Sequence, residues 1–132
     1  MLRASRLLLV AGGRTAFFTI HPAPGLSPSQ RRRAHRDGPV AVAAHRPHRE
    51  LLERAGFIDI DEIDCTAEFA TIARAWIERS EHHHDHLVDL IGIAEYERRQ
   101  RERRTQLHAI EDGLLRRSLL TAARPKSTAT TD

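Results

Sequence analysis

The spacing of apolar positions changes several times along the chain, and each change marks an element. Leu2, Leu7, Leu8, Leu9 and Val10 run into Gly12 and Gly13, which predicts that Leu2 to Ala11 is the end of an amphipathic helix stopped by glycine. From Arg14 to Ile20 there is no polar alternation beyond Thr15 and Thr19, so this segment predicts a strand buried on both faces, as in a parallel sheet. His21, Pro22, Ala23, Pro24 and Gly25 then predict an abrupt strand end and a loop, because prolines and glycine do not extend a central strand. Ser27, Pro28 and Gln30 have the order of a capping box with proline at the first helical position. The helix they start should stop near Gly38 and Pro39, and Val40 to Ala44 is apolar but undetermined.

Pro47 opens the next helix, with Leu51, Leu52 and Ala55 on one face and Gly56 as its left-handed stop. Phe57 to Cys65 predicts a strand whose alternation slips between Ile60 and Ile63, the sign of a bulge or a strand end. Thr66 is placed to cap a helix in which Phe69, Ile72, Ala73, Trp76 and Ile77 fall on one stripe. The stripe lapses through Arg79 to His86 and resumes at Leu87, Val88 and Ile91, so the helix either continues with an exposed middle or breaks, and ends at Gly92. Ala94 to Asp112 predicts a second long helix with sparse apolar positions, Tyr96, Leu107 and Ile110. Gln100 and Arg103 share its face, so its middle turns should be exposed, and Gly113 stops it. Leu114 to Arg124 predicts the last strand, and 125–132 a disordered tail.

Strands alternating with helices predict an α/β sheet. Three strands are few, however, and a strand as apolar as Arg14 to Ile20 normally has neighbours on both edges. The pattern therefore reads as an incomplete sheet. At 132 residues the chain holds one small domain at most. Aromatics are 5%, so the core must come from Leu, Ile, Val and Ala. Arg and Lys number 21 against 18 acidic residues, a net charge of +3 that permits nucleic-acid contact without arguing for it. The single Cys65 excludes an intrachain disulfide and fits a reducing, cytoplasmic setting. Arg3 and Arg6 ahead of Leu7 to Val10 mimic a signal segment, but Arg14 truncates it, and every apolar run is cut well short of about 18 residues, so no membrane partner is expected.

The order and spacing of these elements resemble class I S-adenosylmethionine-dependent methyltransferases of bacterial small-molecule type. Leu7 to Ile20 looks like the helix, Gly-Gly turn and fifth strand of that family, with Ala11 where the family usually has Pro. Arg46 to Ile60, with Leu51, Leu52, Ala55, Gly56 and Phe57, looks like its helix and sixth strand. Asp64 to Trp76 resembles the start of a helical insertion found in some members. The resemblance implies a partial Rossmann-like sheet of three strands over residues 1–124. The last strand would be antiparallel and wedged between the other two, after an insertion at about 66–112. The family binds its cofactor through a glycine-rich turn after the first strand and acidic residues ending the next two. These belong to an N-terminal half that has no counterpart here, and Gly12-Gly13 precedes a strand instead of following one. The expectation is a truncated or split methyltransferase-related chain, not catalytic alone, that takes S-adenosylmethionine only when the other half completes it. Two alternatives stay open: a non-catalytic partner completing the sheet of another chain, or self-association in its place, and a small basic nucleic-acid-binding protein.

Candidate chemistry is sparse. His21 ends a strand where open α/β sheets place ligands, making it the candidate catalytic base or acceptor-side contact, beside a plain loop reading. Phe69 and Trp76 are candidate substrate contacts in the insertion, with core packing as the alternative. His82 and His86 stand at metal-ligand spacing within a run of histidines, with a solvated patch as the alternative. Arg31, Arg32, Arg33 and Arg36, and the run Arg98 to Arg104, have the charge for phosphate but no aromatic stacking partners. The second run is interleaved with Glu95, Glu97 and Glu102, predicting intrahelical pairs. Cys65 is a small buried residue in the simplest reading.

Overall fold

A computed structural model describes residues 1–39 and 46–127. The apolar stretch Val40 to Ala44 and the last residues of the expected tail, 128–132, lie outside the described residues. The elements follow in the order α1 (Leu2–Leu8), β1 (Arg14–Pro22), α2 (Pro28–Asp37), α3 (His48–Arg54), β2 (Ile58–Asp64), α4 (Thr66–His82), α5 (His84–Ile91), α6 (Ile93–Glu111) and β3 (Leu115–Ala123).

The three strands form one sheet in the order β1-β3-β2. β2 runs antiparallel to β3, with Glu62 opposite Leu120 and Asp64 opposite Ser118. Backbone bonds from Gly12 N–H to Arg124 O (3.1 Å) and from Ala23 N–H to Leu114 O (2.9 Å) bound an antiparallel β1–β3 pair. β1 and β2 therefore point the same way with β3 reversed between them, a partial Rossmann-like sheet as the resemblance implies. The slip in β2 is real but lies between Ile58 and Asp61, earlier than its alternation suggests; Asp59 takes φ 50° there, a left-handed conformation that Asp tolerates.

The chain divides into two compact units. The first comprises Met1–Thr19, Ala44–Asp64 and Ser118–Asp132. Its core is Leu52, Ala55, Phe57, Leu120 and Ala122, with Leu2, Leu9, Phe17 and Ile60 packed on it. The Gly12-Gly13 turn is held to the end of β3 by Gly12 N–H and by Arg124 N–H donating to Gly13 O at 2.8 Å. Glycine is required at both positions: Gly12 has φ +75°, and a Cβ on Gly13 would lie 2.9 Å from Val10 O. Gly56 sits at φ +86° after α3, the left-handed stop its sequence predicts.

The second unit comprises Ile20–Ala43 and Cys65–Arg117. Its core is built around Ala34, Ala70, Ile77, Leu107, Ile110 and Leu115. The capping box at the start of α2 is formed, with Gln30 N–H donating to Ser27 Oγ at 3.2 Å and Ser27 N–H to Gln30 Oε1 at 2.9 Å. By connectivity, both segments of this unit leave from the carboxyl ends of β1 and β2.

Several expectations fail for physical reasons. β1 is not buried on both faces: exposed and half-buried residues alternate, and Phe18 is 54% exposed. It is an outer strand of this sheet, which is why it also runs through His21 and Pro22; a proline is tolerated where no ladder donor is required. α1 ends at Leu8 and has no fully buried residue; Leu2 is half-buried against the core, and Leu8 is 88% exposed. Thr66 is the first residue of α4, not its cap; its Oγ1 accepts from Arg117 N–H at 3.0 Å instead. The middle turns of α6 are exposed on one face only, since Gln100 is buried and Arg103 half-buried. Among the described residues no helix is long and apolar enough to cross a membrane.

Candidate functional site

His21 lies within β1, one residue before its end, rather than in a loop beyond it. It is half-buried and its Nδ1 is 3.1 Å from Pro22 O, close enough for the ring N–H to donate to that carbonyl. Cys65 follows the end of β2 and is half-buried; its N–H donates to Arg117 O at 2.8 Å. With Arg117 N–H donating to Thr66, this pair ties the start of α4 to the start of β3. The Arg117 guanidinium sits 4.5 Å from the centroid of the Phe69 ring, a cation–π contact. Phe69 also packs on the unit's core.

Trp76 does not join the core. It is 60% exposed, and the Arg103 guanidinium lies 5.8 Å from its ring. The buried line of α4 is Ala70 and Ile77 with Ala73 and Phe69 half-buried, so the stripe is narrower than expected and excludes Ile72 and Trp76.

The histidine run marks a break. α4 ends at His82 and α5 begins at His84, so His82 and His86 do not share one helix and lose the one-turn spacing that suggested a metal. The His82 and His83 rings meet edge-on at 4.9 Å, and the His84 ring meets Tyr96 at 4.8 Å. Among the described residues no group of three or more His, Cys, Asp or Glu could hold a metal ion.

A polar network that sequence reasoning missed joins α6 to α4. Tyr96 Oη donates to Ser80 O at 3.1 Å, and the Gln100 amide donates to Ile77 O at 3.4 Å. Arg103 donates to Ser80 Oγ at 3.0 Å and to Gln100 Oε1 at 3.4 Å. The available signal was that Tyr96, Gln100, Arg103 and Leu107 recur at helical spacing on one face, which marks a packed face with polar members as well as an exposed one.

Within the two arginine runs, Arg33, Arg36, Arg98, Arg99 and Arg104 are ion-paired. Arg33 bridges Asp37 (3.2 Å) and Asp112 (2.6 Å), linking α2 to the end of α6. Arg36 pairs with Asp37 at 2.9 Å, and Arg104 with Glu81. Glu95 accepts from both Arg98 and Arg99 at 2.7 Å, and Arg98 also reaches Glu102. The Arg98 bond, then the Arg99 bond, holds the Glu95 carboxyl at about 2 against an ordinary value of 4.5. A lowered carboxylate pKa contributes stability that is complete above the ordinary value and lost as pH falls through the folded value. Glu95 should thus keep its charge until about pH 2. An NMR titration of the Glu95 side chain checks this, and Arg98→Gln should move the midpoint up toward 4.5.

Between α2 and α6 lies an open groove of about 630 Å³, lined by Arg36 and Asp37 at the end of α2 and by Arg98, Arg99, Arg101, Glu102 and Arg103 of α6.

No family model and no curated protein sequence matches this chain. Its fold does match solved structures. A phosphoethanolamine N-methyltransferase 2 from Haemonchus contortus, in complex with phosphomonomethylethanolamine and S-adenosylhomocysteine, superposes with TM-score 0.75 at 20% identity, over 95% of this chain and 29% of that one. A sarcosine dimethylglycine methyltransferase candidate from Galdieria sulphuraria gives 0.76 at 9% identity, over 96% and 47%. A cyclopropane synthase from Mycobacterium tuberculosis gives 0.71 at 14% identity, over 93% and 48%. The chain spans less than half the length of each of these proteins. At these identities the likeness establishes the fold, a portion of the methyltransferase α/β fold.

Proposed function

We propose that this chain is the acceptor-side portion of a methyltransferase-like domain, with residues 1–124 as that portion and about 66–112 as its helical insertion. It is silent alone and acts with strands and an S-adenosylmethionine site supplied by another segment, in the same polypeptide or a second one. One observation carries the reading: a reversed β3 lies between β1 and β2, in an arrangement shared with enzymes more than twice as long. The two outer strands also differ in a way that says which side is extended. β2 carries Asp59, Asp61, Glu62 and Asp64, and charge on an edge strand opposes further pairing. β1 carries no charge between Arg14 and His21 and shows Phe18 at its surface, so the missing strands belong beside β1. In the complete domain the second unit, leaving from the carboxyl ends of β1 and β2, supplies the acceptor contacts, with His21 and Phe69 the nearest candidates.

The isolated chain should therefore self-associate through β1. Light scattering at about 50 μM should show concentration-dependent oligomers, and Phe18→Lys, which places a charge on that edge, should return monomer. A monodisperse wild-type monomer with cooperative urea unfolding would contradict the reading. Oligomers unaffected by Phe18→Lys would place the association elsewhere and count against β1 as the edge that is extended.

A further inference from the structure

The groove between α2 and α6 does not depend on β1 or on the proposed methyl-transfer role. Its volume of about 630 Å³ falls in the range of small-molecule sites, roughly 300–1,000 Å³, rather than of a single bound ion. Its lining is unlike a ligand pocket for an apolar molecule. Its lining carries five arginines, Arg36, Arg98, Arg99, Arg101 and Arg103, and two acidic residues, Asp37 and Glu102; counting Glu95, which pairs with Arg98 and Arg99 from outside the lining, an excess of two positive charges is left. The carboxylates cancel only part of the field. Asp37 is shared between Arg36 and Arg33, and Glu102 is engaged by Arg98. Arg103 donates to neutral oxygens, Ser80 Oγ and Gln100 Oε1, which orient its guanidinium without neutralising it. Arg101 makes no ion pair with any described residue, and it is exposed at the groove wall. The walls are held in place by the Arg33–Asp112 bridge between α2 and the end of α6. Arginines contributed by two helices suit oxyanions that accept paired hydrogen bonds, and two excess charges suit an anion carrying more than one charge.

We infer that this groove binds a small organic phosphate, recognised through a phosphate or polyphosphate group carrying at least two negative charges. A nucleic-acid surface fits the placement less well. Arg31 and Arg32 are exposed on α2 and outside the groove, whereas an extended phosphate backbone would track them as well.

The test is calorimetric titration of the full chain with inorganic pyrophosphate at about 50 mM salt, where screening is modest. Trp76 fluorescence serves as a locator, since the chain has one tryptophan and Arg103 both lines the groove and lies 5.8 Å from its ring. Saturable binding with Kd at or below about 1 mM and a matching fluorescence change are expected. Arg101→Gln should weaken it about fivefold or more, while Arg32→Gln, with the same loss of charge outside the groove, should leave it within about twofold. Arg36→Gln repeats the test from the other wall should Arg101→Gln fail to fold. Absence of saturable binding overturns the proposal, as does equal weakening by the Arg101 and Arg32 variants, which would show a general charge effect. A short single-stranded oligonucleotide binding more tightly than pyrophosphate, and losing affinity with Arg32→Gln, overturns it in favour of nucleic acid. The probe contains no sulfonium cofactor, so either result leaves the methyltransferase reading where it stands.

Discussion

Leu115→Ala and Leu120→Ala should each cost about 2–5 kcal/mol, the range for truncating a buried leucine that leaves a cavity. Both side chains are fully buried, though in different cores: Leu115 with Ile77, Leu107 and Ile110, and Leu120 with Leu52, Phe57 and Ala122. They lie on β3, the central strand, whose neighbours on both sides limit how far the backbone can relax into the hole. At a urea slope of about 1.5 kcal/mol/M, such a loss lowers the midpoint by roughly 1–3 M. A total stability near the lower end of the usual range, about 5 kcal/mol, would leave either variant partly unfolded at 37 °C. Leu8→Ala is the control. Leu8 is as apolar but 88% exposed, and its replacement should change stability by no more than about 0.5 kcal/mol. Equal effects from Leu8 and Leu120 would show that the core is not where burial places it. Urea unfolding followed by circular dichroism, with each change made in the Phe18→Lys monomer, distinguishes these outcomes.

What was legible in the sequence was what depends on neighbouring residues. Ser27 and Gln30 form their capping box because both partners lie within one turn. Gly56 and Gly113 end their helices at φ +86° and +74°, conformations that select glycine without help from the rest of the fold. The order of elements, set against a known pattern, extended this to the sheet, including the reversed position of β3.

The errors arise where distant contacts decide. The stripe on α4 was expected to include Trp76. The structure buries Ala70 and Ile77 instead, small and medium residues that fit the close approach of α6, and leaves the indole to Arg103. Gln100 and Arg103 looked like solvent positions by polarity alone. Their partners, Ile77 O and Ser80, come from another helix and leave no mark on the local pattern. β1 looked like a central strand because its composition is that of one, yet among the described residues it lies at the outside of the sheet. On the proposed reading that mismatch is informative, since the composition suits a neighbour the chain itself does not supply. The candidate site was legible only in part. His21 stands near a strand end as expected, but the metal spacing of His82 and His86 dissolves at the helix break, and the groove between α2 and α6 joins arginines 62 or more positions apart, which no motif signals.

The central claim is that this chain carries the acceptor-side portion of a methyltransferase-like domain without a cofactor site of its own. Its only adjacent glycine pair, Gly12-Gly13, leads into β1 and is occupied with the end of β3, so it offers no cradle for a nucleoside. The most direct measurement is calorimetric titration of the isolated chain with S-adenosylmethionine at up to about 1 mM ligand. The account predicts no saturable one-to-one binding tighter than about 100 μM, equivalent to about −5.5 kcal/mol. A one-to-one complex tighter than that would mean that the chain builds a cofactor site by itself, and would contradict the account.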